Sequence, residues 1–214
     1  MSTNRILYIA LAASALLRAE IIDRIAVSIG NKVVTEAQID QEIRLTAFLN
    51  KAKLDTSGDE RKKATGRLIE QTLVRREMEF SHYSSPSTNE VDAALKSLKA
   101  GYSGESRYQD ALKDYGIDEA SLRGSLEWQM TLMQFIDFRF RPGIQVPEAD
   151  MQAYYKQQVA KWQQQGTKPI PSYDDSRESI EQTLTEQRID QAVDQWLAET
   201  RKQVPIRYRD EALQ

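Results

Sequence analysis

One histidine, no cysteine and a scatter of carboxylates are all that this 214-residue chain offers to bond-making chemistry. His82 stands beside Tyr83 and Ser84 at the end of a helix-forming stretch. A cation is mildly favoured there by the helix dipole, so a structural role outweighs a catalytic or metal-binding one. The acidic residues recur at helical spacing beside Lys and Arg, as Glu70 does with Arg75 nearby, which is the pattern of solvated faces with modest pair energies. No nucleophile with its base, no glycine-rich phosphate loop and no metal-ligand spacing occurs. We therefore expect no enzyme: no catalytic residue, no metal and no cofactor. The chemistry left to such a chain is the burial of apolar groups.

The segment Leu122 to Phe140 is best equipped for that. At about 3.6 residues per turn, Leu122, Leu126, Met130, Met133 and Phe140 share one side, and Trp128, Leu132, Phe135 and Phe138 fall nearly opposite. A helix apolar on two faces is either buried between layers or presents one face to something else. The first alternative makes it a central core helix. The second makes part of the Trp128 stripe the lining of a groove for apolar peptide segments, with methionines that adapt to varied partners. Tyr154, Tyr155, Trp162 and Trp196 are further candidates for that surface. The candidate peptide-binding set is Trp128, Leu132, Phe135, Phe138, Tyr154 and Tyr155.

Stepping along the chain, the elements that must hold this segment are mostly helical. Ile25, Val27 and Ile29 alternate with Ala26 and Ser28 as in a half-buried strand, Gly30-Asn31 signals a hairpin turn, and Thr35 to Gln38 fits a capping box. Helices are predicted from about Glu36 to Lys51, from after the Asp55–Asp59 cluster to about His82, and from the second capping box at Ser87–Glu90 onward. A short helix around Tyr108 to Tyr115 closes at Gly116, and Asp118 opens the next, which Arg141-Pro142-Gly143 stops. Pro147 fits the first turn of a helix that reaches Trp162 or slightly beyond. After a linker at Gly166 to Pro171, Ser172 caps a last long helix to Gln203, and Ile206 and Tyr208 alternate as in a short strand.

The first residues differ from the rest. Arg5 precedes an uncharged apolar run, Ile6 to Leu17, and Ala19 offers a small residue for cleavage before Glu20. The run is shorter than the ~20 residues a membrane span needs and suits a signal peptide, the alternative being an uncleaved anchor in the inner membrane. The formal charge of −3 becomes more negative without Arg5 and Arg18, which gives no electrostatic case for nucleic acid. The lack of cysteine excludes a disulfide scaffold, so stability must come from the apolar core.

Three regions in order resemble the SurA-type periplasmic chaperones, with their SurA N-terminal, trigger-factor-like peptide-binding domain. The first is the hairpin-helix opening. The second is Asn89 to Leu95 followed by Tyr108 to Leu112, Gly116 to Glu119 and Leu122-Arg123. The third is Ser172 to Asp175, continuing through Leu184 to Arg188 and Trp196-Leu197 to Ile206-Arg207-Tyr208. The resemblance implies a mainly α fold: a helical chaperone core with a small N-terminal β-hairpin joined by a short C-terminal strand. In that family parvulin prolyl-isomerase domains lie between the last two helices. Here Gln163 to Ser172 occupy that place, and one histidine and nine glycines cannot furnish such a module.

The expected organisation is a signal peptide at 1–19, a SurA N-terminal-like helical domain at 20–165, a linker at 166–172, a helix and strand returning to that domain at 173–208, and a tail at 209–214. The expected function is an ATP-independent periplasmic holdase without isomerase activity. Its partners would be unfolded envelope polypeptides, outer-membrane β-barrel precursors among them, and neither nucleotide nor nucleic acid. Two alternatives stand beside it: an envelope scaffold or assembly factor binding one folded partner, and a peptidyl-prolyl isomerase with an unrecognised site.

Overall fold

The computed structural model describes residues 23–80, 83 and 85–209. The proposed leader at 1–19, His82 and residues 210–214 of the tail lie outside the described residues. Among the described residues the fold is mainly α, with seven helices and one small antiparallel sheet.

Strands β1 (Ile25–Ile29) and β2 (Lys32–Thr35) form the opening hairpin, and β3 (Ile206–Tyr208) pairs with the other edge of β1, giving the order β2-β1-β3. Gly30 takes φ 58° in the turn, a conformation that costs a residue without Cβ little. Its amide donates to the Pro205 carbonyl at 2.9 Å, and the Arg209 amide donates to the Ala26 carbonyl, so the first and last described elements are hydrogen-bonded into one sheet. One detail departs from strict alternation. The β1–β2 register shifts between Ile25 and Val27, so Ala26 is buried beside Val27 and Ile29 while Ile25 is exposed. An extra residue on one strand turns the side chains before it to the other face.

The helices are α1 (Glu36–Leu49), α2 (Gly58–Glu79), α3 (Thr88–Ala100), α4 (Glu105–Tyr115), α5 (Glu119–Arg139), α6 (Glu148–Gln164) and α7 (Tyr173–Gln203). Both predicted capping boxes form: Thr35 and Gln38 satisfy each other's backbone amides, as do Ser87 and Glu90. Asp118 accepts from the Ser121 amide at 2.7 Å, and Ser172 from that of Asp175 at 3.2 Å. Gly116 ends α4 in the left-handed region, at φ 63°. Two starts differ from expectation. Helix α4 begins at Glu105 rather than near Tyr108, behind Gly104, which has no capping side chain to announce it. Pro147 is the residue before α6, its carbonyl accepting from Asp150 and Met151, rather than a member of the first turn.

Three apolar clusters hold these elements. The sheet packs Val27, Ile29 and Val34 on Ile39 and Ile43 of α1 and on Ile69 and Leu73 of α2, with Val204 sealing the end. A second cluster joins Leu45 and Phe48 of α1 to Leu95, Tyr108, Leu112 and Leu122, binding α3, α4 and the start of α5. A third gathers Val74 of α2 with Trp128 and Phe135 of α5, and Trp196 of α7 packs against it. Helix α1 therefore serves two cores from two faces. Helix α6 runs back along the first half of α7, where Met151, Ile180 and Ile189 are buried.

Polar contacts fasten the same joints. Lys99 of α3 donates to Glu119 at the start of α5 at 2.6 Å, and lies 4.8 Å above the Tyr108 ring. Glu77 of α2 pairs with Arg139 of α5 at 2.9 Å, and Glu70 with Arg201 of α7 at 2.7 Å.

Two outcomes follow from this architecture. Ile29→Ala removes a buried side chain from the strand shared by both ends of the chain. It should cost about 2–4 kcal/mol in urea unfolding and speed hydrogen exchange at the Gly30 amide. The second concerns acid. Lys99, donating to the carboxylate, holds the Glu119 carboxyl below its ordinary value of 4.5. A depressed carboxyl stabilises the fold fully above that value, and the contribution is lost as pH falls through the lower, folded value. Because both partners are partly exposed, the effect is on the order of 0.5 kcal/mol. Glu119→Gln should flatten the fall in stability below pH ~4.5, read from urea midpoints across that range.

Candidate apolar cleft

Helix α5 faces different neighbours along its length. Its first turns use Leu122 and Leu126 to close the α1–α3–α4 cluster, and its second half uses Trp128 and Phe135 to meet α2 and α7. Between those two faces runs a stripe made of Ser125, Trp128, Gln129, Leu132 and Ile136. It opens into a cleft of about 640 Å³ walled by α1, α2 and α7. Leu49, Val74, Val193 and Leu197 complete the apolar part of the wall.

The wall that α1 and α2 supply is partly polar. Glu42 accepts from Arg67 at 3.0 Å, from Thr46 at 3.3 Å and from Gln71 at 3.5 Å. Arg67 also reaches Glu60 at 3.1 Å, and Glu70 is held by Arg201. The carboxylate of Asp194, exposed on α7, has no hydrogen bond or ion pair among the described residues. A second cleft, of about 610 Å³, lies on the other side of Trp128, lined by residues of α2 and α5 and by Tyr83 and Ser85. There the Arg75 guanidinium stacks 3.8 Å above the Trp128 ring. Burial lowers the Arg75 pKa from its ordinary value, against the pull of Glu127.

The six candidate residues separate into distinct surroundings. Trp128 and Leu132 line the cleft, Trp128 being 8% exposed and Leu132 half-buried. Phe135 does not reach it. At 1% exposure its ring is enclosed by Tyr83, Phe140 and Trp196, with centroids 5.0, 6.0 and 5.7 Å away. This ring braces the wall from behind and leaves no surface for a peptide. Phe138 points outward at 71% exposure, edge-on to Tyr83 at 5.5 Å. Tyr154 and Tyr155 are on α6, away from the cleft lining, and are half-buried. Tyr155 packs on Tyr173 and Trp162 and donates to the Pro171 carbonyl at 2.8 Å, so it pins the predicted linker against α6.

Sequence reasoning overlooked Ile136 and the contributions of α1 and α2, and on α7 it offered Trp196 where Val193, Asp194 and Leu197 line the cleft. The spacing Ser125, Gln129, Leu132, Ile136 is itself a helical stripe, yet it mixes polar with apolar residues and so hides among the two purely apolar stripes. Leu49, Val74, Val193 and Leu197 carry no local signal; each reads as ordinary core. Among the described residues no carboxylates or imidazoles gather into a metal-holding group. What the cleft can do physically is remove a few apolar side chains from water.

The contrast between two phenylalanines on one helix is measurable. Phe135→Ala should cost about 3–5 kcal/mol in urea unfolding, and Phe138→Ala within about 0.5 kcal/mol.

No protein-family model matches this chain, and no curated protein matches it.

Proposed function

We propose that this protein is an ATP-independent holdase of the periplasm, SurA-like in plan and without an isomerase domain. It shelters unfolded envelope polypeptides, outer-membrane β-barrel precursors among them. The observation that carries this reading is the cleft lined by Trp128, Leu132 and Ile136, a recess between four helices whose apolar lining is only partly covered. An apolar recess on a protein surface marks a place for a partner. Its volume lies within the ~300–1,000 Å³ of sites that enclose small groups of atoms, enough for side chains of an extended segment but not for a folded domain.

Magnitudes suit a chaperone that must let go. Each large apolar side chain taken from water contributes roughly 2 kcal/mol, and ordering a flexible client offsets much of it. Two or three such contacts hold a client weakly, so release needs no nucleotide. The return of the last helix and β3 to the opening hairpin is also the plan that the sequence resemblance implied.

Light scattering of a urea-diluted β-barrel precursor tests the proposal. Folded protein in stoichiometric excess should suppress aggregation, and Leu132→Asp should weaken suppression while leaving the helical circular dichroism intact. Aggregation that proceeds unchanged with the folded protein present would rule the holdase out. In a proline-peptide turnover assay the protein should show background rates only.

A further inference from the structure

We infer that the cleft between α1, α2, α5 and α7 prefers apolar segments flanked by lysine or arginine. The inference rests on the peptide-binding reading above and narrows it to one client chemistry. It comes from the charge left over along the cleft. The cation that lines it, Arg67, and two beside it, Lys63 and Arg201, are already held by carboxylates. Arg67 is shared between Glu42 and Glu60, Glu60 also takes Lys63 at 3.4 Å, and Arg201 is held by Glu70. Of the three carboxylates that line the cleft, Glu42, Glu70 and Asp194, Asp194 alone has no side-chain partner among the described residues, and it stands on the α7 wall beside Val193.

An apolar segment entering the cleft therefore meets oily side chains below and an uncompensated negative charge at the edge. A neutral segment gains only from burial. A segment with a flanking cation also gains an ion pair with Asp194, whereas a flanking carboxylate is repelled by it. The Glu70–Arg201 pair, with side chains 44% and 40% exposed, adds a second carboxylate that an arriving guanidinium or ammonium can share. The low dielectric of the apolar floor beneath the rim strengthens this discrimination relative to open water.

Three short fluorescent peptides test it, each with the same leucine and phenylalanine centre and with lysine, glutamine or glutamate at both ends. Anisotropy titrations of the full protein at low salt should rank lysine above glutamine above glutamate. The outer pair should be separated by roughly fivefold or more, and the gap should close as salt is raised to about 1 M. Asp194→Lys, checked for an unchanged thermal melt, should reverse the order; Asp194→Asn, a gentler change, should narrow it. Asp110→Asn, at an exposed position of α4, should leave the order as it was. Equal binding of all three peptides overturns the charge preference but leaves the holdase standing. An order unaltered by Asp194→Lys overturns it too, because the selection then arises elsewhere. Failure of all three to bind, together with unsuppressed aggregation, removes the holdase itself.

Discussion

The packing of Phe135 against Trp196 is the contact on which the rest of this molecule turns. Phe135 comes from the middle of the chain and Trp196 from near its end, and their rings meet at 5.7 Å beside Phe140 and Tyr83. Arg139 lies over the Trp196 ring and reaches across to Glu77 of α2. One small aromatic cluster thus ties α2, α5 and α7 together. Aromatic groups suit this joint because each buries a large area, and the Phe135 ring meets Tyr83 and Phe140 edge-on and Trp196 at a tilt, contacts that rings favour. If α7 were not held at this point, the cleft would lose the wall that carries Val193, Asp194 and Leu197.

The joint also accounts for the two-faced composition of α5. A helix that serves a single core needs one apolar stripe, whereas α5 closes one core with Leu122 and another with Phe135. Between its two buried faces, Leu132 and Ile136 stay half-buried and, with the buried Trp128, line the cleft. The cleft thus lies where one helix bridges two clusters. The polar network of Glu42, Arg67 and Gln71 satisfies the groups at its edge without closing it.

The sheet has the complementary task of joining the first and last described elements. Strand β1 is hydrogen-bonded on both sides, and its side chains Val27 and Ile29 anchor α1 and α2 beneath. Because β3 follows α7 directly, pairing β3 with β1 limits where α7 can lie and brings Trp196 within reach of Phe135. Sheet and aromatic cluster restrain the two ends of the same segment of α7, so each supports the other.

Much of this was written locally in the residues. The capping boxes at Thr35 and Ser87, the Gly30-Asn31 turn, the Gly116 cap and the long apolar repeats determined the helices, the hairpin and the last strand, since each depends on neighbours within about four residues. The start of α4 was less legible because no side chain caps it, and the inward turn of Ala26 because a bulge depends on the partner strand. The site was legible only in part. Periodicity marked α5 as apolar on two sides, but it could not say that Phe135 would be enclosed, that Phe138 would face water, or that Tyr155 would hold the linker. Those outcomes were decided by Trp196, Tyr83 and Pro171, residues distant in sequence whose positions relative to each side chain exist only once the helices have packed. Local chemistry determines which segments form; contact between remote segments decides which of their faces remain open.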